Sequence, residues 1–370
     1  MTTNWVSLMT ELGQDFARRA ADHDQDDSFV AENYAKLREF GAFGAGVPAE
    51  LGGGGASHAE VCGMVRELAR HCGSTGLAFA MHSHLVGTMS AGWRAGNKAP
   101  EAMLKRVASE GAILVSSGAS DWLSGSGKLE KVDGGFKMNG RKIFGSGSPS
   151  GDFLMTTGVY DDPAAGPTVI HFPLSLKAEG VKVLDNWRTL GMRGTGSHDV
   201  EIKDVFLPEA VMQGVRRPAG QWHPAMHTVV LVALPIVYAA YLGVAQSARG
   251  IALELAGRKR DDAVVQELAG ELENLFVTLQ IAHQSALEVA ATMKPGPEAT
   301  SAMAVRRNIF VKAAIALADK ALELAGGAGF YRAAGLERCF RDLQGARFHP
   351  IPEKAQTRLT GRLLLGLEIA

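Results

Sequence analysis

Cysteine is scarce in this sequence of 370 residues, where Cys62, Cys72 and Cys339 are the only three. Their spacing matches no paired metal-ligand motif, and three thiols cannot form a complete disulfide framework, which indicates a reducing compartment. An excess of either charge is also missing, because 38 Lys and Arg residues nearly balance 39 Asp and Glu residues. Without a basic field over the molecule, nucleic acid is not an expected partner.

Several catalytic motifs are absent as well. The sequence contains no Gly-x-Ser-x-Gly, no His-Glu-x-x-His and no Cys-x-x-Cys, which excludes the usual signatures of serine hydrolases and zinc enzymes. The glycine run 52–55 is not followed by Gly-Lys-Ser/Thr, so it is not a P-loop. His82 and His84 are two residues apart and point in different directions on a helix, so no metal site is expected. We expect both to be packed or exposed side chains, and either could line a substrate cavity.

The sequence shows no targeting segment, and one apolar stretch is long enough to be compared with a membrane span. The N-terminus lacks the basic region and apolar core of a signal peptide, so we expect a cytoplasmic protein. The stretch 224–245 has no charged residue apart from His227, and its length would allow a membrane span, which needs about 20 apolar residues. Pro235 in its middle and the polar His227 and Thr228 instead favour a helix buried in a bundle, without a membrane.

The sequence pattern changes twice along the chain. Early segments such as Trp5 to Phe16 repeat apolar residues at helical steps of three and four. From Ala112, short runs rich in β-branched and aromatic residues alternate with turn formers, which predicts strands. Asn139-Gly140 predicts a hairpin turn between two of them. Asp199 to Val205 alternates polar and apolar residues, as a half-buried strand does. Long helical patterns return after Pro208, with Pro295 to Glu298 predicted as a loop. We predict a mixed, mainly α protein with three domains, at 1–111 (helical), 112–210 (β) and 211–370 (helical).

A glycine turn near the C-terminus carries the most specific resemblance to a known family. An Ala- and Leu-rich helix runs into Gly326-Gly327-Ala328-Gly329-Phe330, and Arg341-Asp342 follows. Together with Gly191 to Val200 and the order of helices, strands and helices, this arrangement resembles the acyl-CoA dehydrogenase superfamily. The resemblance implies an N-terminal helical domain, a central β-barrel and a C-terminal four-helix bundle. It also implies a homodimer or homotetramer in which Gly326, Gly327 and Gly329 lie beside the flavin adenine dinucleotide (FAD) of a neighbouring subunit.

The same resemblance implies roles for residues of the β-domain. Leu114 to Asp121 is similar to the family's strand and loop whose hydroxyl and backbone groups face the flavin, so Ser116 and Ser117 are expected there. Asn139 to Ser146 is similar to the family's Asn-Gly-x-Lys-x-Trp-Ile-Thr-Asn, which puts Phe144 at the residue that shields the flavin. Ser146 is then expected to hydrogen-bond near the flavin N5. Ring stacking and a hydroxyl donor suit an isoalloxazine.

An arginine for the flavin pyrophosphate is expected near the end of the first bundle helix. The segment from Arg258 to Arg260 matches this place in the family, and Arg258 is the first candidate, with Lys259 and Arg260 as alternatives. An arginine suits this role because its fork can bind phosphate oxygens in pairs.

The main expectation for function is dehydrogenation of an acyl-CoA thioester with hydride transfer to FAD. That reaction needs a carboxylate to take the α-proton, and the family places it at one of two positions, which here are Pro350 and Ala233. Neither residue can accept a proton. Glu353, three residues beyond the first position, and His349, beside it, are the candidate catalytic residues. Electron-transfer flavoprotein would be the expected redox partner.

A monooxygenase is the alternative function. Related enzymes of this superfamily bind reduced flavin loosely, use it with oxygen, and need a dry pocket with a hydrogen-bond donor rather than a base. Arg347-Phe348-His349-Pro350 resembles their corresponding segment. Flavin mononucleotide (FMN) would then replace FAD, and a flavin reductase would be the partner. A flavin or acyl-CoA binding protein without activity is a third possibility.

Overall fold

The computed structural model describes residues 3–118, 121, 124–212 and 214–369, which form two helical regions around a sheet. The α-helices of the described residues are α1 (Trp5–Ala17), α2 (Ala20–Gln25), α3 (Ala31–Glu39), α4 (His58–His71), α5 (Gly73–Arg94), α6 (Glu101–Glu110), α7 (Ala225–Ala256), α8 (Ala263–Thr292), α9 (Pro297–Ala325), α10 (Leu336–Gln344) and α11 (Glu353–Leu364).

The helix boundaries follow local sequence signals. α4 begins with a complete capping box, in which the Ser57 hydroxyl accepts from the Glu60 N–H and the Glu60 carboxylate accepts from the Ser57 N–H. α9 begins at Pro297, inside the segment expected to be a loop. Proline is favoured in the first helical turn because its missing N–H would have no partner there, so the loop is shorter than predicted.

The strands form one sheet between the helical regions. They are β1 (Leu114–Ser116), β2 (Lys128–Val132), β3 (Gly135–Gly145), β4 (Phe153–Asp162), β5 (Gly166–Ser175), β6 (Val181–Val183), β7 (His198–Pro208) and β8 (Arg216–Pro218). Their order is β6-β7-β3-β2-β4-β5-β8, with β1 parallel to β4. β8 extends the sheet beyond the predicted boundary at residue 210. The division into three domains stays a prediction.

The predicted hairpin at Asn139-Gly140 is wrong. β3 runs straight through this dipeptide, with a shift in its pairing to β7 between Met138 and Gly140. A β-carbon on Gly140 would lie 2.8 Å from the Gly127 Cα, and the Asn139 side chain donates to Asp204, so tertiary contacts account for both residues. The turn that joins β2 to β3 instead lies before β3 begins, at Gly134, which adopts a φ of 73°.

A single apolar core joins the helices from both ends of the chain. It includes Met9 and Phe16 of α1, Leu68 of α4, Tyr241 of α7 and Leu317 of α9. A separate apolar cluster fills the sheet domain, around Phe136, Leu154 and Ile202. The helical regions therefore depend on each other for their stability, since burial of apolar surface is the main favourable term in folding.

α7 is the central helix of this core. Its helical continuation, Ala225–Lys259, has a mean hydropathy of 2.2 in its most apolar window, enough to cross a membrane by length and composition, but 78% of that window is buried within the protein. It packs against α4, α5, α8 and α9. The structure thus supports the expected buried helix.

We expect Gly243→Ala to destabilise the protein by about 1–3 kcal/mol, as overpacking does. A β-carbon there would lie 2.2 Å from the Arg66 carbonyl oxygen of α4, so the two backbones would have to separate. Gly250→Ala in the same helix is the matched control, because that position has open space. The control should gain up to about 1 kcal/mol of helix propensity. Urea unfolding measures both, and equal effects would contradict the close packing of α4 and α7.

Candidate active site

A cavity of about 500 Å³ lies where the sheet meets the two helical regions. Its walls come from α5, from α7, from the loops at 116–118 and 187–197, and from the segment 344–351. The lining is mostly apolar, and five methionines contribute to it, at positions 81, 89, 155, 192 and 226. A volume of this size fits a small organic ligand or cofactor.

The sheet side of the cavity presents hydroxyl groups and two aromatic rings. Phe144 has a φ of 58° and is 49% exposed, with its ring 5.8 Å from that of Trp187. Ser146 is buried, and its hydroxyl lies 2.7 Å from that of Ser197. Phe144 therefore faces the cavity and does not belong to the core of the sheet domain.

A buried ion pair contacts the segment 116–118, at the end of β1. Lys142 Nζ lies 2.6 Å from Asp121 Oδ1, and the same carboxylate accepts from the hydroxyls of Ser117, Thr156 and Thr157. Burial alone would raise the pKa of Asp121, but the charge of Lys142 and these hydrogen bonds hold it below its usual value. The pair fixes Ser117 beside the cavity. Ala119 and Ser120 of the predicted flavin loop lie outside the described residues.

Ser116 and Gly118 fit a flavin. Ser116 lines the cavity, and its buried hydroxyl has no hydrogen-bond partner among the residues that the structure describes, which fits a residue that contacts a bound group. A β-carbon on Gly118 would lie 3.3 Å from the Ile143 carbonyl oxygen and from the Phe144 ring, so a larger residue would crowd this wall. Ser116, Ser117, Phe144 and Ser146 all line the same cavity.

His349 lies on the helical side of the cavity, within the segment 344–351. Its Nε2 is 2.6 Å from the Tyr241 hydroxyl of α7. Arg307 donates to the backbone carbonyls of Arg347 and His349, at 2.9 and 2.7 Å, and so fixes the path of this segment. Burial, with a smaller contribution from the charge of Arg307, lowers the pKa of His349 to about 4. The ring is neutral at physiological pH.

Both positions at which the resemblance predicts the family's carboxylate belong to the cavity wall. Ala233 and Pro350 line it, and no Asp or Glu does so among the described residues. None of the remaining residues, 1, 2, 119, 120, 122, 123, 213 and 370, is acidic. The cavity has no carboxylate to act as a base.

Glu353 lies outside the cavity wall, as the first residue of α11. Its carboxylate is half exposed and pairs with Lys312 at 3.0 Å. The hydrogen bond from Lys312 lowers the pKa of Glu353, which favours the ionised, solvated form. This location does not suit a residue that abstracts a proton from a bound substrate.

Three of the remaining predicted cofactor residues, Arg258, Gly326 and Gly327, lie on the surface. Arg258 is exposed in the turn after α7, and Gly326 and Gly327 have open space beside them. Phe330 and Tyr331, which follow, are 84% and 73% exposed. Gly329 is buried instead, where a β-carbon would clash with Ala325 and Leu336. Contact between this turn and a neighbouring subunit's flavin stays a prediction.

Matches to known proteins agree with this architecture. Residues 10–110 match the acyl-CoA dehydrogenase N-terminal domain, and residues 223–349 match the C-terminal domain. YdbM of Bacillus subtilis (strain 168), provisionally named an acyl-CoA dehydrogenase, is 30% identical over 94% of this chain and 92% of YdbM. The chain belongs to the acyl-CoA dehydrogenase family.

Two further relatives are named for a reaction or a ligand that does not involve acyl-CoA. The L-evernosamine nitrososynthase of Micromonospora sp. is 28% identical over 93% of this chain and 85% of its own. The crystal structure of KijD3 with FMN and dTDP-3-amino-2,3,6-trideoxy-4-keto-3-methyl-D-glucose has a TM-score of 0.90 at 26% identity, covering 100% of this chain and 95% of KijD3. This acyl-CoA dehydrogenase family member is a flavin-dependent oxidoreductase.

We expect the free energy of unfolding to fall less steeply with decreasing pH in His349→Gln than in the wild type. The pKa of His349 is about 4 in the folded chain, against about 6.5 for a free histidine. Between these values the unfolded chain binds more protons, so stability falls as pH falls through that window. Removing His349 should reduce the slope of the free energy of unfolding against pH by up to about 1.4 kcal/mol per pH unit.

Urea unfolding at several pH values between 4 and 7 measures this slope. Tyr241→Phe serves as the control, since it removes the hydrogen bond while the histidine stays buried, and it should keep most of the slope. An unchanged slope in His349→Gln would show that His349 is solvated.

Proposed function

We propose that the protein is a monooxygenase that uses reduced flavin and oxygen to oxidise a small, mainly apolar substrate. No carboxylate lines the cavity among the residues that the structure describes, and Ala233 and Pro350 stand where the resemblance predicts the family's base; this observation carries the proposal. Removal of an α-proton requires a base within hydrogen-bond reach. A histidine with a pKa of about 4 is a weak base for this purpose.

The side chains that face the cavity suit oxygen transfer better. Reduced flavin, when bound, supplies two electrons to dioxygen, so that one oxygen atom enters the substrate and the other leaves as water. The apolar walls exclude water, which would compete for the reactive oxygen. The Tyr241 hydroxyl and His349 can hold a proton beside the oxygen that leaves, and Ser116, Ser146 and Phe144 would hold the flavin ring.

FMN is the cofactor that we favour, delivered in reduced form by a separate flavin reductase. The KijD3 complex contains FMN, and L-evernosamine nitrososynthase is named for oxidation of an amine, not of a thioester. We also propose a homodimer or homotetramer, because the turn 326–331 exposes two aromatic side chains beside bare glycines. Such exposed apolar groups are typical of an interface.

Dehydrogenation of an acyl-CoA by FAD is the second candidate, favoured by the similarity to YdbM. It would require His349 or Glu353 as the base. His349 is neutral but a weak base, and Glu353 is paired with Lys312 outside the cavity.

The experiment compares both reactions in the same preparation. FAD-loaded protein mixed anaerobically with butyryl-CoA or octanoyl-CoA should show no bleaching of the flavin. With reduced FMN and oxygen, a panel of apolar amines and phenols should give oxygenated products. Tyr241→Phe and His349→Gln should lower that turnover at least roughly tenfold, as expected for loss of a positioned proton donor. Acyl-CoA-dependent bleaching that Glu353→Gln abolishes would establish the dehydrogenase instead.

A further inference from the structure

Two residues of α5 that line the cavity, His84 and Thr88, each carry a buried polar atom without a hydrogen-bond partner among the described residues. These atoms are His84 Nδ1 and Thr88 Oγ1. His84 and Thr88 are four residues apart, so they lie side by side on one face of the helix. Both line the cavity, together with Leu85 and Met89 of the same helix. Buried polar groups are nearly always hydrogen-bonded, so two orphans in one wall indicate a ligand contact.

The protonation state of His84 determines which kinds of ligand group it can bind. Burial, with smaller contributions from His82 and His349, lowers the pKa of His84 to about 3. The ring is therefore neutral and offers one donor and one acceptor. The Thr88 hydroxyl can donate and accept as well, so the pair complements a group that does both.

The cavity offers no counter-charge for an ionised ligand. Among its lining residues in the described ranges, Arg341 is the only charged side chain. Its guanidinium already binds Asp24 and Glu337, each at 2.6 Å. A carboxylate or phosphate deep in this apolar cavity would be buried without a partner, which is strongly unfavourable.

We propose that His84 and Thr88 form a binding subsite for the single hydroxyl or amine group of an otherwise apolar, uncharged substrate. This inference rests on the proposed function, since it names the substrate class of the same cavity. A hydroxyl or an uncharged amine can donate to His84 Nδ1 and accept from Thr88, or the reverse, whichever atom carries the hydrogen. The remaining Leu, Met and Val side chains of the wall contact the apolar part.

The subsite is tested by binding, without turnover. Isothermal titration calorimetry of the full-length protein, with and without FMN, would compare 4-ethylphenol with ethylbenzene, which lacks the hydroxyl, and with 4-ethylbenzoate, which is charged. We expect 4-ethylphenol to bind roughly tenfold more tightly than ethylbenzene, as expected when a buried polar pair gains its partner. 4-Ethylbenzoate should bind more weakly than either.

Thr88→Val keeps the shape of the side chain and should bring the ratio of the first two affinities close to one. His84→Leu should do the same, and His84→Gln should restore part of the preference. Thr278→Val is the matched control, because Thr278 is exposed on α8 with its hydroxyl bonded to the Asn274 carbonyl. This control should keep the wild-type ratio.

Equal binding of 4-ethylphenol and ethylbenzene by the wild type, or no binding of either, would overturn the subsite. So would a preference that survives in Thr88→Val and His84→Leu, or variants that weaken only the binding of FMN. Because no oxygen or reductase is present, the subsite can hold even if the monooxygenase reaction fails, and the reaction can occur even if the subsite is wrong.

Discussion

Two adjacent residues of α10, Asp342 and Arg341, connect the three parts that enclose the cavity. Asp342 of α10 accepts the Met192 N–H at 2.5 Å, which ties the segment before β7 to the C-terminal helices. The neighbouring Arg341 binds Asp24 of α2 through two nitrogens. A β-carbon on Gly191 would lie 2.3 Å from the Arg341 carbonyl oxygen, so glycine is required for this approach. These contacts hold the segment 191–192 against α10 and α2, and so help to define the shape of the cavity.

Much of the fold was predictable because its signals are local. Helical periodicity and strand alternation depend on neighbouring residues, and β7 shows the expected alternation from His198 to Ile202. The Asn139-Gly140 hairpin failed because the same dipeptide also suits a strand that another backbone approaches closely, as Gly127 does here. The order of helices, strands and helices followed from these patterns, and the family resemblance then supplied the way in which they assemble, which periodicity alone does not determine.

The candidate site was predictable only in part, for a geometric reason. Ser116, Phe144, Ser146 and His349 lie in short motifs, so resemblance could indicate them. Tyr241 lies in a helix that is apolar on every side, and no local signal shows which face meets the cavity. His84 could be suspected of lining a cavity, but its missing hydrogen bond is a property of the folded chain. Glu353 is close in sequence to the vacant position, yet α11 directs it towards Lys312.

The methionines in the cavity wall have a consequence for substrate range. A thioether side chain is unbranched and rotates about three bonds, so it can take up several shapes at little energetic cost. Five of them surround the space that a ligand would enter. The walls can therefore adjust to ligands of different outline without any change of sequence.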